Sequence, residues 1–278
     1  MSKRLLTIVL GGIMGLATWA QPQNYDSLMK QAKTFYEQKE YAKSIEFYEK
    51  VVIELKGTEY EGLIPSVRNQ IAINNLYLGV AALKEKDFTT AKPLIEKAIK
   101  DAKPESKTYF GANSWMGQWY SVQSLNIQLS HGDFQQALKL SIEAERYFDL
   151  AKAPEKRLME QLSRSDILHE LSQSNEAETL LNQTIDECKG NSDRNIIQGK
   201  AAYKLGKIEL QLEKFQLAMQ HLEQGYDLCI IGSTEDAKMY ATLCANKLNQ
   251  LFSKQIPDEN KAGLWKQRAD ELETQRAK

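Results

Sequence analysis

The sequence predicts an all-α chain built from repeated helical hairpins, and three observations carry that prediction. Apolar residues recur with helical rather than strand periodicity, and no run alternates as a half-buried strand would. Only six prolines and fifteen glycines are spread over 278 residues, with the prolines near inferred helix ends or first turns. One pattern then occurs twice: Gly79, Phe88 and Ala91 share their spacing with Gly206, Phe215 and Ala218, the aromatic nine residues after the Gly and the Ala three after the aromatic.

In the stretch from Asn75 to Lys100, an apolar helical run leads through a short charged turn to Phe88. A second helical run follows, with Ala91 in its first turn. The stretch from Tyr203 to Leu228 repeats this order through Leu205, Gly206, the turn Leu212-Glu213-Lys214, Phe215, Ala218, Leu222 and Gly225. This pattern resembles the tetratricopeptide repeat, a helix-turn-helix unit with small residues where its two helices cross and an aromatic at the turn. The resemblance implies a helical solenoid of about five helix pairs with C-terminal capping helices, spanning nearly all of the chain after its first twenty residues.

The first twenty residues read as an address. Lys3 and Arg4 precede an apolar run from Leu5 to Ala17, and Thr18-Trp19-Ala20 offers small residues for cleavage before Gln21. The run is shorter than the ~20 residues of a membrane span, and no Cys follows it to take a lipid. The expected organisation is a signal peptide over 1–20, a repeat array over 21–254 and a capping helix over 255–278. An exported, periplasmic location follows, with secretion from the cell as the alternative and no stable membrane insertion after cleavage.

The first unit spans about Tyr25 to Leu55. Leu28, Ala32 and Phe35 share one face, Gln38-Lys39-Glu40 makes the turn, and Ile45, Tyr48 and Val52 follow Tyr41. Ser44 stands where the pattern has Ala. Gly57 and Gly62 bracket a break, after which a longer helix from about Pro65 to Lys84 opens the second unit. The third turns at His131-Gly132-Asp133-Phe134, with Ala137, Ser141 and Ala144 on one face. In the fourth, Leu158, Leu162, Ile167 and Leu171 precede the turn, and Ser174 replaces the aromatic before Ala177, Leu181 and Ile185. The first turn aromatics, Tyr41, Phe88 and Phe134, recur at 47 and 46 residues, longer than the family's period of about 34, so longer helices are expected. Glu235 to Lys254 makes another helix through Met239, Leu243 and Leu248. The last, from about Asp258, is polar apart from Leu264, Trp265 and Leu272, as suits the end of a stack that meets water.

In tetratricopeptide proteins the first helix of each pair lines the concave side and holds a protein or peptide. Carried onto this sequence, the resemblance points inward Lys33, Tyr36, Leu76, Leu83, Trp119, Asn126, Asp166, His169, Tyr203 and Lys207. Some members clamp a terminal carboxylate with Lys and Asn on neighbouring first helices. Lys33 and Asn126 occupy such places, but Leu76 and Val80 intervene, so the clamp is incomplete.

Composition and motifs narrow the chemistry. A hydrophobic content of 42% supports a large core, and 36 basic against 37 acidic residues give no field that favours nucleic acid. No Gly-rich phosphate loop, G-x-S-x-G elbow or H-E-x-x-H helix is present, and His131, His169 and His221 lie in different units, so neither metal nor cofactor is expected. Cys188, Cys229 and Cys244 are expected as buried free thiols. Cys188 and Cys229 hold equivalent places in successive repeats, and stacked helices lie ~8–10 Å apart, beyond the ~7 Å Cα separation a disulfide tolerates. Tyr109, Phe110, Trp115, Trp119 and Tyr120 form an aromatic cluster that can serve as core or as contact surface. The resulting expectation is a non-enzymatic scaffold or adaptor in the bacterial cell envelope. A peptide- or ligand-sensing module in envelope signalling is the alternative, and an enzyme built on helical pairs the third reading.

Overall fold

A computed structural model describes residues 24–276. The expected cleavage site and the segment before it lie outside the described residues. Twelve α-helices follow one another among them: α1 (Tyr25–Glu37), α2 (Tyr41–Leu55), α3 (Ile64–Lys84), α4 (Phe88–Asp101), α5 (Lys107–Leu129), α6 (Phe134–Leu150), α7 (Pro154–Glu170), α8 (Ser174–Cys188), α9 (Asn195–Gln211), α10 (Phe215–Ile230), α11 (Glu235–Lys254) and α12 (Glu259–Arg276). Single turns of 3₁₀ helix at Glu61–Leu63 and Ser192–Arg194 lead into α3 and α9. Each odd-numbered helix packs on the even-numbered helix that follows it, and each even-numbered helix on the next unit's first helix, so the chain stacks as six hairpins.

The hairpins close on small residues. Ala32 faces Ser44 in the first unit, Gly79 faces Ala91, Ser124 faces Ala137 and Gly206 faces Ala218, with Ser165 and Ala177 at the matching positions of the fourth unit, all of them buried. Where serine occupies the crossing, its hydroxyl is satisfied locally. Ser44 Oγ donates to the Ala32 carbonyl at 2.9 Å and Ser124 Oγ to the Ala137 carbonyl at 2.8 Å. Each of these five turns carries one non-glycine residue in the left-handed region: Lys39, Lys86, His131, Ser172 and Glu213. The reason is the helix end itself. At the first turn the Lys39 and Glu40 N–H groups reach back to the carbonyls of Tyr36 and Phe35 at 2.9 and 2.8 Å, a closure that needs φ > 0.

The long repeat period comes from long first helices: α3 has 21 residues and α5 has 23. Core residues run along the stack as Val51 and Leu55, Ile71, Ile95, Met116, Leu158 and Leu181, Leu205, Leu222, Leu248 and Leu251, each almost fully buried. At the C-terminal end, α12 covers α11 with Trp265, Ala269 and Leu272. Leu264 is 46% exposed, because one residue of helix rotates it away from the 265-269-272 stripe.

Candidate functional site

The two layers of the stack are not equally close. First helices of successive units touch, α3 with α5, α7 with α9 and α9 with α11, whereas the second helices pack on the first helices that flank them. A stack that is tighter on one layer curves toward it, so the first helices form the inner face.

Three recesses open between first helices. Between α3 and α5, a groove of about 340 Å³ has Leu83, Phe88, Trp115 and Val122 as its apolar surface, with Asn126 and Gln118 at its polar edge and Lys84 and Lys86 beside it. Between α5 and α7, a cleft of about 340 Å³ is lined by Gln118, Ser121, Phe148, Met159, Glu160 and Ser163, with Glu155 and Lys156. Gln118 borders both. A smaller recess of about 190 Å³ between α9 and α11 includes Lys207, Leu210, Lys247 and Leu251.

The ten residues expected on the inner face are placed as follows. Leu83 and Asn126 come together in the α3–α5 groove, Leu83 only 8% exposed in its floor. Trp119 backs this groove: its indole N–H donates to the Phe88 carbonyl at 3.0 Å, tying α5 to the start of α4, and Lys92 Nζ lies 4.9 Å from its ring centre. Leu76 is half-buried, facing Gly111 of α5. Tyr36 sits in a tyrosine cluster with Tyr41 and Tyr77. The last two stack with centroids 4.9 Å apart, and a hydrogen bond to Tyr77, then burial, push the Tyr36 hydroxyl up to about 12. Asp166 forms an ion pair with Lys204 across α7 and α9, and Tyr203 packs edge-on against Tyr240 with centroids 5.5 Å apart. His169 Nδ1 lies 3.2 Å from Ser174 Oγ, so the serine that replaces the turn aromatic is engaged by the histidine. Lys207 lies in the α9–α11 recess, and Lys33 is exposed beside Glu37 on its own helix. Lys33 and Asn126 are not brought together, since all of α3 stands between their helices.

The aromatic cluster takes neither of its two expected roles entirely. Tyr109, Phe110, Trp115, Trp119 and Tyr120 are all half-buried, while Ala112, Met116 and Gly117 supply the fully covered face of α5. The cluster wedges α5 against its neighbours, as in the Tyr120–Tyr147 stack at 5.4 Å, and Trp115 still borders the groove.

Two features were not read from the sequence. Glu160, 4% exposed, accepts a hydrogen bond from Ser141 Oγ at 2.6 Å, and burial raises its carboxyl above the ordinary range. Its apolar neighbours Met159 and Leu162 mask it in the helical pattern. On the opposite side, α6 and α8 leave a groove of about 450 Å³ over α7, with Leu138, Ile142, Leu168 and Leu180. The cysteines are free and buried, as expected, and burial raises all three thiols, that of Cys229 to about 12.

This arrangement of paired helices, small crossing residues and a tighter inner layer decides the fold. The chain folds as a tetratricopeptide-repeat solenoid. The tetratricopeptide repeat family model matches residues 26–54, the first hairpin. The crystal structure of BtubC (BKLC) from P. vanneervenii is similar over 89% of this chain and 91% of that chain, with a TM-score of 0.54 at 14% identity. The C-terminal part of a TPR repeat-containing protein from Cytophaga hutchinsonii aligns over 88% of this chain and 95% of its own, at 15% identity and a TM-score of 0.42. No curated protein sequence matches this solenoid.

Proposed function

We propose that this protein is a non-enzymatic adaptor that holds a protein or peptide on the inner face of its solenoid, in the bacterial cell envelope. The observation that carries the reading is the α3–α5 groove. It presents Phe88, Trp115 and Val122 beside Asn126 on the face lined by first helices. An apolar floor with a few polar groups at its edge suits a peptide segment, whose side chains fill the floor while its backbone meets the edge. The envelope setting is supported by Lys3, Arg4, the apolar run from Leu5 and the Ala20-Gln21 junction.

The test is site-specific photocrosslinking from position 126 in intact cells, followed by identification of the joined peptide. Val122→Arg, which places a charge in the groove, should remove the adduct while leaving the melting curve within about 2 °C of the parent. Adducts that survive Val122→Arg unchanged would exclude this groove. Mature protein beginning at Gln21 in an osmotic-shock fraction would support the location, and its retention with the cytoplasm at full length would refute it.

A further inference from the structure

Three charged side chains among the described residues are more than nine-tenths buried: Glu160, Lys200 and Glu209. Two have an ionisable side chain in contact: Lys200 pairs with Asp236, and Glu209 accepts from the His221 imidazole, Nδ1 at 2.8 Å. Glu160 differs, since no Lys, Arg or His nitrogen of the described residues lies within 4.0 Å of its carboxylate. Its hydrogen bond comes from a hydroxyl, that of Ser141 on α6, and the Ser121 hydroxyl on α5 lines the cleft beside it.

The neighbouring carboxylates are already engaged by arginines, and Lys156 by a neutral hydroxyl. Glu145 is engaged by Arg164 and Arg157, Asp149 by Arg157, and Glu155 by Arg194. Lys156 donates to Ser114 Oγ at 2.7 Å and lies near the rings of Trp115 and Phe148. The carboxyl group left without a basic partner is therefore Glu160, and Glu160 lines an open cleft of about 340 Å³ between α5 and α7. A buried carboxylate without a counter-ion is strongly disfavoured, and a cation arriving through the cleft would relieve it.

We propose that the α5–α7 cleft receives a basic side chain, Lys or Arg, of the bound protein or peptide, with Glu160 as its counter-ion. Phe148 and Met159 flank the cleft and cover the aliphatic stem of such a side chain, while Ser121, Ser163 and Gln118 offer it further acceptors. A divalent metal fits less well, because one carboxylate and neutral hydroxyls fall short of the six or more oxygen ligands that Ca²⁺ takes. The cleft shares Gln118 with the α3–α5 groove, so the proposal rests on the inner face being the binding face.

The probe is n-butylguanidinium, a free arginine-like side chain, with 1-butanol as its neutral counterpart. Glutamate carboxyl carbons are followed by NMR in the whole protein. The guanidinium should move the Glu160 resonance saturably and lower its titration midpoint, butanol should do neither, and Glu160→Gln should abolish the saturable shifts at the amides of Gln118 and Ser121. An unmoved Glu160 resonance, an equal response to butanol, or saturable shifts that persist in Glu160→Gln would overturn the proposal. The wild-type titration decides the matter even if the variant folds poorly. Loss of the position-126 adduct in Val122→Arg together with an unmoved Glu160 would sink the basic side chain alone, whereas failure of every adduct test would sink the binding face.

Discussion

Gly206 lies so close to Leu222 that a Cβ on the glycine would stand 2.7 Å from Leu222 Cγ, and 3.2 Å from the Ala218 carbonyl oxygen. Gly79 has the same relation to Ile95 and Ala91, at 2.7 and 3.3 Å. An exposed helical Gly→Ala change would gain up to about 1 kcal/mol. At Gly206 the backbone oxygen cannot yield, so overpacking wins and Gly206→Ala should destabilise by roughly 1–3 kcal/mol. Gly263 in α12 has nothing within 4 Å of its would-be Cβ, and Gly263→Ala should stabilise by up to about 1 kcal/mol. Urea melts of the two variants should therefore shift in opposite directions.

The turn residues give a second test. Glu213 has φ 58° and Lys86 φ 61°, a region that costs an L-residue roughly 1–2 kcal/mol and glycine almost nothing. Glycine returns part of that gain as unfolded-state entropy, so Glu213→Gly and Lys86→Gly should each stabilise by about 0.5–1 kcal/mol. On a chain of this size each should raise Tm by a few degrees, read by circular dichroism. A fall in Tm at both positions would show that the side chains matter more than the backbone.

Glu160 makes stability depend on pH. Burial raises its carboxyl above the ordinary 4.5, so between that value and its own the folded chain holds a proton that the unfolded chain has lost. Stability from this group is thus greatest at low pH and falls as pH rises through that window. The charged groups around it are Glu145, Arg164, Glu155 and Lys156, which all remain in Glu160→Gln. The difference in unfolding free energy between parent and variant should therefore grow in the variant's favour from pH 4.5 upward and level off above the Glu160 midpoint. A difference that is flat across pH would contradict the buried carboxyl.

The thiols can be counted. With Cys229 raised to about 12, roughly one thiol in ten thousand is ionised at pH 8, and none of the three is exposed. Ellman's reagent should find no fast-reacting thiol in the native protein and three in 6 M guanidinium. Two missing thiols in the denatured sample would mean a disulfide, and rapid native reaction would mean an accessible cysteine.

Much of the architecture was legible because it depends on local chemistry. Gly79 with Ala91 and Gly206 with Ala218 mark the crossings, since only small residues let two helices approach so closely, and that requirement shows in spacing alone. Glu235 and Lys254 bound α11 as read, with Thr234 capping its start. The tilt of Leu264 out of the α12 stripe was less legible, because a one-residue rotation decides it and the polar helix has few apolar positions to fix its phase.

The inner face was only partly readable. Leu83 and Asn126 meet in one groove, but Asp166 and Tyr203 bind neighbouring helices instead, through Lys204 and Tyr240. The linear pattern gives candidates for the inner face. It does not say which of those are used up by the next unit.

By itself the sequence determined the helical hairpins, their crossings and their polar C-terminal end, because each follows from helix periodicity and from the size of residues within one turn of a contact. Only the tertiary structure decided that Glu160 is buried without a counter-ion, that first helices draw together and where the recesses between them open. Those properties depend on charges and volumes contributed by α5, α6 and α7 together, residues far apart along the chain whose distances no local pattern encodes.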